Sequence, residues 1–239
     1  MTKQERAART RQALIRSAAA VFEQHGYAQA RLVQISSGAG VSTGALHFHF
    51  DNKAAVAQAV VAEASRGLRE LSAAVRRGTD NALQALVDTS HALVERLRDD
   101  PVSRAGFRLS CDGDRAAVPD LRLEWHQRVR ELLDEAAATG ALAEGVSRED
   151  TAAATVAVTA GFEALGRNDS AWLAPPMLTG FWSLLLPRIA AAETVAFVDP
   201  SGVRAAKPTP RVPAPALAMP VRGAVEPAAG RVEPAAGVN

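Results

Sequence analysis

Apolar residues recur along this chain mostly at three- and four-residue spacing, the period of a helix packed on one face. Leu14, Ile15, Ala18, Ala19 and Phe22 make the first such stripe, and Gly26 ends it. Two shorter segments follow within residues 32–53, LVQISSGAGVSTGALHFHFDNK, parted by a tight turn at Gly40-Val41. In the second of them Leu46 and Phe50 lie four apart and face the core together, which turns Thr43, Gly44 and His47 away from it. Val56, Val60, Leu68, Leu71 and Val75 continue a stripe down a longer helix that starts near Asn52 and links a head to a body. Leu83, Leu86, Val87, Ser90, Leu93, Val94 and Leu97 form another, stopped before Asp99-Asp100-Pro101. A short helix is expected through Val102, Phe107 and Leu109, then a loop at Cys111-Asp112-Gly113-Asp114. Leu121, Trp125, Arg128, Leu132 and Leu133 predict a helix ending at Gly140. Ser147 and Asp150 resemble a capping box opening the next one. A last helix is expected over about residues 176–192, kinked or ended by Pro187. Residues 195–198 form a short apolar run that reads as extended without a partner, and no strand alternation appears.

These elements predict an all-α chain in three parts: a three-helix head over residues 1–53, a helical bundle over residues 54–198, and a tail over residues 199–239. The tail is rich in Pro, Ala, Gly and Arg and repeats VEPAAG twice, a composition that buries too little apolar surface to offset its ordering entropy, so it is expected to be disordered. Charge sharpens the division. Residues 1–53 carry 7 basic against 3 acidic side chains, a balance of +4, and residues 54–195 carry 15 against 20, a balance of −5. A basic head on an acidic body points to a polyanion met by the head alone. The single cysteine, Cys111, excludes an internal disulfide and suits a reducing cytoplasm. No signal-peptide core and no apolar run of about 18 residues is present, so neither export nor a membrane partner is expected.

The paired short segments carry the chemistry. A second helix delivered by a tight turn is the geometry that places one helix in the major groove of DNA. Gly40 supplies the turn, and Ser42 can cap the new helix by accepting from an orphan amide. Gly44 lets backbone approach the bases, and Thr43 offers a hydroxyl and a methyl to a base edge. His47 and His49 are short donors suited to phosphate, and Lys53 stands beside orphan amides that also attract anions. Arg6, Arg9 and Arg11 are read as an arm preceding the first helix and lying along the backbone. Ala45 and Phe48 complete the expected DNA-facing set. His47 and His49 diverge on a helix and have no carboxylate or thiol at fitting spacing, so no metal is expected, and no cofactor is implied. A phosphate loop, an H-E-x-x-H pair and a G-x-S-x-G turn are all missing, so the chain is not expected to be an enzyme.

From residue 13 to residue 53 the chain resembles the DNA-binding head of TetR-type repressors. The resemblance rests on Gly26-Tyr27, on I-x-x-x-A-G-V-S over residues 35–42, on L-x-x-H-F over residues 46–50, and on Lys53. GALHFHF, the DPVSRAGFRL run over residues 100–109 and Trp125 look most like the branch of γ-butyrolactone receptors and their receptor-like relatives in actinomycetes. The resemblance extends, more thinly, to about residue 192 and does not cover the tail. His47 stands where the family usually has tyrosine, and Arg31 stands where a capping threonine is common; arginine can hold a phosphate there. The resemblance implies a homodimer built on the last two body helices. It implies a pseudo-palindromic promoter site read by two heads about one DNA turn apart, ~34 Å. It also implies a small-molecule inducer that releases the DNA, a γ-butyrolactone or an antibiotic or its intermediate, and so control of antibiotic biosynthesis.

For that inducer the residues themselves offer an apolar wall of Phe107, Leu121, Trp125, Phe162 and Trp182. Trp125 combines a flat apolar face with an N–H in search of an acceptor, and Thr159 places a hydroxyl inside an apolar run. A ligand-independent dimeric DNA-binding regulator, and a helical enzyme acting on small metabolites, are the competing readings.

Overall fold

The computed structural model of the chain describes residues 2–111 and 120–203. Among these residues the backbone forms ten α-helices and one 3-10 turn, and its one β-type pairing is an isolated bridge between Leu142 and Ala190. The head comprises α1 (Lys3–Gln29), α2 (Leu32–Gly38) and α3 (Thr43–His49). The body comprises α4 (Lys53–Arg76), α5 (Ala82–Asp99), α6 (Pro101–Cys111), α7 (Leu121–Ala138), α8 (Arg148–Gly166), α9 (Pro175–Ile189) and the short α10 (Ala192–Val195). The loop expected over residues 112–114 and the tail from residue 204 onward lie outside the described residues.

Local sequence accounts for most of the helix boundaries. Gly26 takes φ 69° and breaks the regular helix near the end of α1. Asn52 caps α4, Asn81 caps α5 and Ser147 caps α8, each accepting from the amide three residues on. Apart from the half-buried Leu71, the apolar residues of the expected stripes are buried as a single cluster running from Leu14 and Phe22 in α1, through Val56 and Val60 in α4, to Trp125 in α7 and Trp182 in α9.

Four boundaries differ from expectation. The first helix begins at Lys3, so Arg6, Arg9 and Arg11 lie within α1 and form no arm ahead of it. The cause is a capping box: Thr2 accepts from the Glu5 amide and Glu5 accepts from the Thr2 amide. The last long helix starts at Pro175 and passes through Pro187 to Ile189. Pro187 is exposed in the final turn, where few hydrogen bonds remain to be broken. Within the run expected as extended, Val195 ends the helical turn α10. The boundary placed at residue 199 falls early, because residues 199–203 lie against α5. There Gln84 accepts from the Asp199 amide at 2.7 Å, Asp88 accepts from the Val203 amide at 2.9 Å, and His91 Nε2 stands 2.9 Å from the Pro200 carbonyl.

α6 makes two close crossings, one with α4 inside the body and one with α1 of the head. α6 crosses α4 at Gly106, where an added Cβ would stand 2.5 Å from the Ala64 Cβ. α6 also grips the far part of α1: Arg104 pairs with the Glu23 carboxylate at 2.5 Å, and Arg108 donates to the Glu23 carbonyl at 2.8 Å. Gln12 on α1 reaches Glu63 on α4 at 2.9 Å. Arg66, with Gln12 adding to its effect and burial opposing it, holds the Glu63 carboxyl below its ordinary range.

Candidate nucleic-acid interface

The turn between α2 and α3 is built by its backbone. Gly40 adopts φ 69°. Its amide donates to the Ser37 carbonyl and the Val41 amide to the Ser36 carbonyl, both at 3.0 Å, which closes α2 as a Schellman motif. α2 sits close on α1: Ser17 Oγ donates to the Ile35 carbonyl at 2.7 Å, and a Cβ on Gly38 would stand 2.5 Å from Ser17 Oγ. Ser42 then caps α3 by accepting from the Ala45 amide at 3.1 Å, so its side chain belongs to the helix start.

α3 is two-sided. Leu46 is fully buried and Phe50 nearly so, as their spacing predicts. Thr43, Gly44, His47 and Phe48 are exposed on the other side, with Ala45 and His49 half-buried at its edge. Phe48 is 79% exposed, an unusual position for a large apolar ring, and it meets the edge of His49 at 5.2 Å between ring centres. The Thr43 hydroxyl lies 3.3 Å from Ser36 Oγ, a contact between the two helices of the motif. Arg9 is exposed on α1. Arg11 stacks its guanidinium over the Phe50 ring at 5.2 Å. The Arg31 side chain is exposed at the start of α2, where Gln34 takes over the capping by accepting from the Arg31 amide at 2.9 Å.

Lys53 has a different task from the one its position suggests. Its ammonium donates to the carbonyls of Tyr27, Ala28 and Ala30 at 2.9, 3.0 and 3.1 Å and lies 4.6 Å from the centre of the Tyr27 ring. An ammonium has three protons, and here all three face the carbonyls that end α1. In this arrangement none remains for a phosphate. The spacing that brings Gly26-Tyr27 and Lys53 together is local to neither segment, so sequence reasoning had no signal for it.

In the body, Phe107, Leu121, Trp125, Phe162, Trp182 and Thr159 are all buried. Two clefts, of about 690 and 510 Å³, lie elsewhere, and none of these six residues lines either of them. The Thr159 hydroxyl donates to the Thr155 carbonyl at 2.8 Å, which occupies its proton within α8. Trp125 and Trp182 are 0% exposed, and neither indole N–H has an acceptor among the described residues. A buried unsatisfied donor costs ~1–3 kcal/mol.

Comparison with known proteins places this architecture. Residues 14–60 match the model of bacterial regulatory proteins of the tetR family. The A-factor receptor protein of Streptomyces griseus is 30% identical over 203 residues, 84% of this chain and 71% of the relative. The chain belongs to the TetR family. Solved structures of this family follow it through head and body. A γ-butyrolactone receptor described as ArpA-like superposes with TM-score 0.72 at 27% identity, over 82% of this chain and 96% of the other. CprB from Streptomyces coelicolor, solved with its biological operator sequence, superposes with TM-score 0.69 at 28% identity, over 80% and 94%. The relatives are named as transcriptional regulators, repressors and receptors, and the TetR-family member described here is not an enzyme. Among the described residues no helix is long and apolar enough to cross a membrane.

Proposed function

We propose that this TetR-family protein is a ligand-responsive repressor that binds pseudo-palindromic promoter DNA as a homodimer. The DNA half of this reading is carried by the exposed side of α3. Thr43, Gly44, His47 and Phe48 stand together on a short helix held by the Gly40 turn and the Ser42 cap, with Leu46 and Phe50 anchoring it below. That is a surface fit to enter a major groove, with Arg9 and Arg31 exposed on the same head to meet phosphates. The operator-bound relative supports the same use. The homodimer is supported by α8 and α9, which leave Ala153, Ala154, Ala157 and Leu165, and Gly180 and Leu184, exposed; the alanines and the glycine let two helix pairs approach closely, and the leucines bring apolar area to bury.

The inducer is read as a small amphipathic molecule, a γ-butyrolactone or an antibiotic or its intermediate. The orphan N–H of Trp125, inside an otherwise apolar core, calls for a carbonyl or ring oxygen, and such molecules bring one on an apolar body. The relative named as a γ-butyrolactone receptor supports the class. Trp125 is fully enclosed, so binding would part the elements around it. α6 is one of these elements and also holds α1 through Arg104 and Arg108, so its displacement would reach the head. A cytoplasmic repressor of antibiotic biosynthesis follows from this reading.

The test is titration of the promoter-bound protein with synthetic γ-butyrolactones and with antibiotic extracts, on the parent and on Trp125→Phe. Release of DNA from the parent, and at least tenfold weaker response in the variant, is expected. A complex that persists under every ligand would identify a ligand-independent regulator instead.

A further inference from the structure

The outer faces of α4 and α5 border an open groove of about 690 Å³ that the functional reading leaves unused. Leu71, Ala74, Val75, Ala92 and Pro175 give it an apolar floor. Its rim is acidic, with Glu70, Asp88, Glu95, Asp99 and Asp100 against Arg96, the single lining arginine among the described residues. Arg66 and Arg98 reach Glu70 and Asp99 from outside the lining, at 2.5 and 2.9 Å. Five acids against these three arginines leave two negative charges in excess. Gly202 and Val203 form part of the same wall. The hydrogen bonds of Gln84, Asp88 and His91 to residues 199–203 therefore deliver the chain to the groove at the point where residue 204 begins.

We propose that residues 204–211, Arg-Ala-Ala-Lys-Pro-Thr-Pro-Arg, dock in this groove of their own chain. The segment has three cations in eight residues and no acid, and the first acid beyond it is Glu226. Pro208 and Pro210 favour extended backbone, so eight residues reach ~25 Å at ~3.1 Å each. The lining stretch of α5 and its C-cap, residues 88–100, is ~18 Å long at ~1.5 Å per residue, within that reach. The two prolines also lack amide protons, which reduces the donors left unsatisfied against an apolar floor. Ala205 and Ala206 are small enough to lie on that floor. Rim charges in solvent attract weakly and are screened over ~8 Å at physiological salt. A segment tethered at the groove mouth has an effective concentration of order mM, however, so a weak contact suffices to keep it seated. The docked segment braces α4, the helix that carries the head, against α5.

The experiment places the photo-crosslinking residue p-benzoylphenylalanine at position 209 of the full chain and maps its adducts by mass spectrometry. Adducts concentrated on residues 70–78 and 88–100 are expected. They should fall at least fivefold in 1 M salt, and likewise in the chain carrying Arg204→Glu, Lys207→Glu and Arg211→Glu. Adding Glu95→Lys and Asp99→Lys to that chain should restore them. Adducts scattered over the body, adducts that join two isotopically distinct copies, or yields indifferent to charge reversal would overturn the proposal.

Discussion

The Lys53 ammonium and the Thr43 hydroxyl stand ten residues apart, one at the start of the body and one in the head, and serve different masters. Lys53 ties the end of α1 to the start of α4 through three carbonyls and the Tyr27 ring. Lys53→Met should therefore lower head stability by ~1–3 kcal/mol in urea unfolding. Its DNA binding, measured over a salt series, should keep the parent's slope; a slope reduced by about one would return Lys53 to the phosphates. Thr43 is exposed on the free side of α3, so Thr43→Ala should weaken operator binding by ~1–3 kcal/mol and relax sequence choice, while its contact with Ser36 Oγ limits the loss of stability to ~0.5–1.5 kcal/mol. Equal operator affinity in a salt-controlled shift assay would remove it from the interface. The free side of α3 was legible in the sequence because Leu46 and Phe50 define the opposite side by spacing alone. The task of Lys53 was not, because its partners lie 23 to 26 residues away.

Among the elements, α6 is the most constrained. Gly106 has Ala64 against it, with Leu121 Cδ1 at 3.1 Å from where a Cβ would stand. Ala64 has no rotamer with which to retreat, so Gly106→Ala should push α6 off α4 and cost ~1–3 kcal/mol, read as a lowered denaturant midpoint. The contact between α5 and residues 199–203 carries a pH dependence. Burial holds the His91 imidazole below its ordinary range, outweighing the Pro200 carbonyl and the carboxylates of Asp88, Asp199 and Glu95. In the unfolded chain the ring titrates near about 6.5 and so takes up a proton first. Stability should thus fall as pH drops below that value, toward the lower folded one, and be unaffected well above it. His91→Gln should show a smaller loss of urea midpoint between pH 7.5 and pH 5 than the parent does. An equal loss would show that other groups dominate. The start of α1 was within reach of sequence reasoning, since Thr2 and Glu5 spell a capping box. The hold of residues 199–203 was not, because Gln84, Asp88 and His91 act on them from more than 100 residues away.

At the scale of the whole molecule, head and body share one apolar cluster, so a movement of α6 cannot stay within the body. The exposed faces of α8 and α9 bear on assembly. Leu184 is 78% exposed and Leu165 46%, and Ala153, Ala154, Ala157 and Gly180 are exposed on the same two helices. Leu184→Glu should convert the proposed dimer to a monomer in sedimentation at micromolar concentration and abolish cooperative occupation of both operator halves. An unchanged sedimentation coefficient would exclude this face as the interface.

The succession of helices, the two-sided α3 and the turn at Gly40 were determined by the sequence itself, because periodicity, caps and a left-handed glycine act within a few residues. The family was legible for the same reason, since its motifs fall in the head, where local rules govern. Tertiary structure decided which polar groups remain available. It turned Lys53 inward, set Arg104 and Arg108 on α1, used the Thr159 hydroxyl within α8 and left the indoles of Trp125 and Trp182 without acceptors among the described residues. Those outcomes depend on which distant carbonyl or carboxylate comes within about 3 Å, and only the packed chain sets that distance.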